Sequence, residues 1–204
     1  MIRTIVLCIV VACAGCVASA LDSKREDPEL FRLTAPEITA GSGEALTAAL
    51  EVHMPHAPLS LDTERIAIVG PATRFDYYAD VRWAEPAPLM LQHLLVHALA
   101  ADRRFATVVA EPSSVPTEYG LELELRRFEA ENEGNGPPVV QIAVQATLLD
   151  TRRGARLASF PATASVAAQG DSRADVLTAF DAATHQVIAS IVAATRGAAP
   201  APAG

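Results

Sequence analysis

Two stretches of this chain alternate between apolar and polar residues, and a period of two is the mark of a β-strand lying half-buried on a core. In "EYGLELELRRF", Tyr119, Leu121, Leu123 and Leu125 share one parity, with Glu118, Glu122, Glu124 and Arg126 on the other. In "FDYYADVRW", Phe75, Tyr77, Ala79, Val81 and Trp83 take one parity, and Asp76, Tyr78, Asp80 and Arg82 the other. The chain holds one Trp, three Tyr and six Phe, and four of these ten aromatics fall in the second stretch. Burying an aromatic ring contributes a few kcal/mol, so Phe75, Tyr77, Val81 and Trp83 are expected in the core. Tyr78, Asp80 and Arg82 then face outward as a candidate partner surface, since tyrosine and arginine are favoured where partners dock.

The remaining pattern alternates strands with two helices. Short extended runs occur at 29–34, 49–54, 65–70 and 105–109, and longer ones at 139–150 and 156–168, the last two joined by a turn in which Gly154 is free to adopt positive φ. After Pro86 and Pro88, leucines and alanines recur at three and four residues (Leu91, Leu94, Leu95, Ala98, Leu99), predicting an amphipathic helix of about four turns. Ser172 and Asp175 form a capping box ahead of a second stripe through Val176, Leu177, Phe180, Val187, Ile188 and Ile191. The expected fold class is α+β, a two-layer domain with a mixed or largely antiparallel sheet and two main helices packed on one face. The segment 129–138, "EAENEGNGPP", is expected to be an exposed loop.

Chemistry is sparse. A net charge of −8 with no basic stripe argues against nucleic-acid binding. His93 and His97, four apart on the first predicted helix, are spaced to share a ligand, but they flank its apolar stripe and no HExxH accompanies them. His53 and His56 bracket Pro55 in a turn, and His185 lies on the polar side of the last helix. There is no G-x-S-x-G elbow, and "VGPATRF" lacks the glycine and lysine of a phosphate loop. No catalytic residue, metal site or cofactor is expected. An exported hydrolase would need a cleft where His93 or His185 meets a serine or a carboxylate.

The N-terminus speaks of export. "MIRTIVLCIVVACAGCVASA" has one cation, Arg3, then an apolar run, then small residues around cysteine. "CAGC" resembles the lipobox of bacterial lipoproteins, which implies a signal peptide over 1–15, Cys16 as the lipidated first mature residue carrying acyl chains such as palmitate, and a permanent membrane anchor. Cys13 stands where the lipobox has an aliphatic residue. A pattern ending at Cys13 also fits but leaves a signal of only twelve residues, and an uncleaved anchor over Thr4 to Leu21 is a third reading. Val17, rather than Asp, follows Cys16, which points to the outer membrane. The three cysteines, Cys8, Cys13 and Cys16, all lie in this leader, so the domain relies on its core rather than on disulfides. Residues 16–28 suit a tether, 29–196 the domain, and 197–204 a disordered tail of alternating Ala and Pro.

The leader followed by "RIAIVGPATRFDYYADVRWAEPAPLMLQHLLVHAL" and "FATVV" resembles the ABC-type transport auxiliary lipoprotein family, the PqiC (YmbA)-like lipoproteins. Arg65, Ile66, Tyr77, Tyr78, Trp83, Ala84, Glu85 and Pro86 occupy the positions that carry the resemblance. It implies a non-catalytic accessory of an ABC transporter with MCE-domain subunits, held by a lipid at the outer membrane and facing the periplasm, in a system that moves lipids. Its partners would be the MCE-domain protein and the transporter subunits, and a homo-oligomer is compatible with it. The alternative is a structural lipoprotein that stabilises the envelope.

Overall fold

Strands β6 (Tyr119–Glu131), β7 (Val139–Asp150) and β8 (Ala155–Ala167) form a long antiparallel meander in the computed structural model, which describes residues 27–41, 44–134 and 136–200. Burial in β7 alternates residue by residue, with Val140, Ile142, Val144, Ala146 and Leu148 buried. The other edge of β6 is shared by two strands lying end to end. β2 (Leu46–Val52) pairs in parallel with Tyr119–Leu121, and β3 (Arg65–Gly70) with Glu129–Glu131. β2 carries the parallel edge strand β5 (Phe105–Ala110), and β3 carries the antiparallel β4 (Arg74–Trp83), to which the short β1 (Glu29–Phe31) adds in parallel. The result is an open, mixed sheet of eight strands in an α+β fold, as the sequence pattern led one to expect.

Helices α1 (Ala87–Asp102) and α2 (Arg173–Ala198) cover one face of that sheet. Pro86 and Pro88 bracket the start of α1, where missing N–H groups cost nothing, and Arg103 closes it in the left-handed region at φ 58°. At α2 the Ser172 hydroxyl accepts from the Asp175 N–H at 3.2 Å, the cap expected from the sequence. α2 is long and apolar enough to cross a membrane, but its stripe from Val176 to Val192 is buried against β7 and β8 and serves as core. The Trp83 ring meets Phe180 of α2 at 5.2 Å and Phe128 of β6 at 5.8 Å, both edge-on, and so ties both layers together.

Four expectations are corrected. Phe75 is not core: it is 40% exposed, because the β3–β4 hairpin runs out past the helices and nothing covers its tip. The strict parity of β4 also breaks. Ala67 of β3 faces Tyr77 and Arg65 faces Arg82, so four residues of β4 span what one residue of β3 spans, and Asp80 turns through φ 57° in this bulge. The predicted strand 29–34 stops at Phe31, since Leu33 turns into the core and Thr34 is clasped by α2. Finally, the tail begins later than residue 197. α2 continues to Ala198, and the Pro200 carbonyl accepts from Arg104 Nη2 at 2.6 Å. The signal peptide, most of the tether and residues 201–204 lie outside the described residues.

Candidate functional site

The helix-free face of the sheet is where side chains remain available. Across β6, β7 and β8 it is a polar lattice: Gln145 Nε2 and Thr147 Oγ1 each bond Ser159 Oγ at 3.0 Å, and Gln141 Nε2 donates to Ser165 Oγ at 3.0 Å. Glu124 is held below the usual carboxylate range by hydrogen bonds from Arg126, and His56 adds to the effect. In β6, Arg127 pairs with both Glu129 and Glu131; burial opposes its charge, but the two carboxylates outweigh it and raise its pKa. An open depression of about 610 Å³ lies on this face among His53, His56, Glu111, Glu122 and Glu124. His53 Nδ1 is 3.7 Å from Glu111 and its Nε2 is 4.0 Å from Glu51, so it bridges the ends of β2 and β5. Among the described residues no group of three or more His, Cys, Asp or Glu is arranged to hold a metal ion.

The other histidines are structural in their contacts. His93 and His97 both point into solvent, and His93 Nδ1 meets Glu85 at 3.2 Å. His185 Nε2 reaches the Thr34 hydroxyl at 2.9 Å, the Thr34 carbonyl at 3.1 Å and Asp181 at 3.6 Å. A hydroxyl, a histidine and a carboxylate in contact invite comparison with a catalytic triad, but a triad needs the carboxylate on the nitrogen remote from the hydroxyl. Here all three partners crowd Nε2, and Asp181 itself accepts from the Thr34 N–H at 2.7 Å. The cluster fastens residues 32–41 to α2.

The bulge in β4 separates the three residues of the expected partner surface. Tyr78 is half-buried against the core, beside Val81, Val176 and Leu177, and burial, helped by Asp171, raises its phenol above the ordinary value of 10.0. Asp80 and Arg82 are exposed, but the bulge parts them. On the helix-free face a different group assembles around Arg82. Arg65 is its cross-strand partner, and Leu30 of β1 is its neighbour on the other side. The Arg65 guanidinium lies 3.6 Å over the Tyr77 ring, Phe75 packs edge-on to Tyr77 at 5.3 Å, and the Tyr77 hydroxyl donates to the Ser60 carbonyl at 3.1 Å beside Leu59. Leu59 is 90% exposed and Leu30 62%. With Phe75 they are three of the six exposed large apolar residues among those described. Periodicity does not find this surface, because Leu30 and Leu59 belong to no long stripe and the parity that picked out Phe75 cannot tell a covered face from a bare one. The signals available were Arg65, the basic residue that opens the β3 strand, and Arg82, already expected to face outward.

Compared with known proteins, residues 31–192 match the model of the ABC-type transport auxiliary lipoprotein component family. No curated protein matches the chain. Among solved structures it is similar to protein XCC0632 from Xanthomonas campestris, with 26% identity and a TM-score of 0.76 over 83% of this chain and 95% of that one. It shares its fold with hypothetical protein CT253 from Chlamydia trachomatis at 10% identity and a TM-score of 0.53, covering 74% of this chain and 96% of that one. A PelC dodecamer from Paraburkholderia phytofirmans gives 18% identity and a TM-score of 0.50, over 78% of this chain and 96% of that one. With a match running from the end of β1 to the last turns of α2, the chain belongs to the ABC-type transport auxiliary lipoprotein family.

Proposed function

We propose that this protein is a non-catalytic, lipid-anchored accessory of an ABC transport system with MCE-domain subunits, held at the outer membrane through Cys16 and facing the periplasm. The observation that carries the reading is the family match across the whole described domain, 31–192. Two features support it. Among the described residues no helix lies on one face of the sheet, and at the edge of that face aromatic, leucine and arginine side chains are exposed, the composition of contact surfaces. Two of its histidines, His53 and His185, lie against carboxylates or a hydroxyl that link strands and loops to one another. The accessory holds transporter subunits in register at the membrane, and an assembly with further copies of itself is part of the same proposal.

The test is affinity purification of the full-length protein from envelopes solubilised in mild detergent. Recovery of an MCE-domain protein with a permease and an ATPase is the expected result. Recovery of the protein with cell-wall or outer-membrane structural components alone, and with no transporter subunit, would overturn it in favour of a structural envelope role.

A further inference from the structure

Arg65 and Arg82 face each other directly across β3 and β4. Like charges in that position destabilise a sheet pair unless an anion lies between them. In β6 the arginines have carboxylates on their own strand, Glu124 for Arg126 and both Glu129 and Glu131 for Arg127. Among the described residues neither Arg65 nor Arg82 makes an ion pair, although the chain carries a net charge of −8. One of the two guanidiniums is held in place by the Tyr77 ring. An arginine pair without an ion-pair partner, one member held on Tyr77, with Leu30 beside Arg82 and Phe75 and Leu59 beside Tyr77, lacks only an anion with apolar groups beside it.

We infer that the Arg65–Arg82 pair is a receptor for a carboxylate on another protein chain, with Leu59 and Phe75 receiving the apolar side chains that flank it. This rests on the accessory reading above and names the surface that reading requires. A protein partner fits better than a bilayer. On the neighbouring strand Glu129 and Glu131 are taken up by Arg127, so the local charge is two arginines, short of the cluster of roughly four or more that holds a protein to an anionic membrane but enough to read one carboxylate. A second copy whose two-fold axis ran through the pair would set the arginines against themselves.

The test places a photo-cross-linking amino acid at Leu59 or Phe75 in the full-length protein in cells, with Leu157, exposed on the distant β8, as control. The expected result is a cross-link from 59 and 75, and not from 157, to a subunit of the same transport system. Its yield falls at least about tenfold in Arg65→Glu/Arg82→Glu, as for loss of a close interfacial charge pair. It returns when the partner carboxylate nearest the cross-link is changed to arginine. Both arginines are exposed, so an unchanged melting curve shows that the variant is folded, and Arg65→Gln/Arg82→Gln repeats the test without reversed charge. Cross-links to lipid, to a second copy, or to nothing would overturn the inference, as would a yield indifferent to both variants. If transporter subunits still co-purify in that case, only the assigned surface fails; if they do not, the accessory reading fails with it.

Discussion

Replacing Arg196 by methionine should unsettle this domain far more than an ordinary surface substitution. Asp102 sits in the last turn of α1 with its side chain 1% exposed, and its cation is Arg196, in the last turns of α2. A carboxylate at a helix C-terminus also opposes the helix dipole, so Asp102 depends on that cation twice over. Breaking a buried pair by removing one member costs about 3–5 kcal/mol, against the ~5–15 kcal/mol that holds a typical domain together. At roughly 2–4 °C per kcal/mol for a domain of this size, Tm should fall by about 6–20 °C. The space for the guanidinium is made by Gly41, where an added Cβ would collide with Arg196 Nη1. Gly41→Ala should therefore reproduce much of the loss. Asp102→Leu combined with Arg196→Met should recover most of it, because no unpaired charge remains. Thermal and urea unfolding followed by circular dichroism would measure these three variants with wild type and Asp102→Leu alone, which closes the double-mutant cycle. A loss below about 1 kcal/mol for Arg196→Met, with no coupling in the double variant, would refute the reasoning and make the pair an ordinary surface one.

Three more outcomes are expected. Trp83→Ala should cost about 3–5 kcal/mol in urea unfolding, whereas Phe75→Ser, at the uncovered hairpin tip, should cost less than about 1 kcal/mol. The β3–β4 turn holds Ala72 at φ 55° and Thr73 at φ 58°, a left-handed pair that costs about 1–2 kcal/mol per non-glycine residue, so Ala72→Asn/Thr73→Gly should raise Tm by several degrees. Glu118 is held below the usual 4.5 by the Ala49 N–H and by Arg152. A depressed carboxylate stabilises the fold fully above its unfolded value and loses that contribution as pH falls through the folded one. Wild type should therefore lose stability on acidification below about pH 4.5 more steeply than Glu118→Gln, as seen in Tm against pH.

The strands that packing covers were legible in the sequence. β7, in which every second residue from Val140 to Leu148 is apolar and buried, and the Ser172 cap of α2 needed only local pattern. Trp83 was legible too, because it lies on the helix side of the bulge. Phe75 was misjudged since parity reports which side chains share a face and not whether a helix lies over it. The bulge at Tyr78–Asp80 left one local trace, an aspartate, which tolerates left-handed backbone better than most residues. Two strands sharing one edge of β6 could not be read at all, because each pairing joins segments distant in the chain. The same holds for the Arg65–Arg82 pair: each arginine has a place in its own strand's alternation, and only the register sets them opposite.

The most direct measurement is the mass of the N-terminal peptide of the protein purified from envelopes. The account predicts a peptide beginning at Cys16, followed by Val17, and heavier than its sequence by a lipid modification. An unmodified N-terminus that still includes residues 1–15 would contradict it.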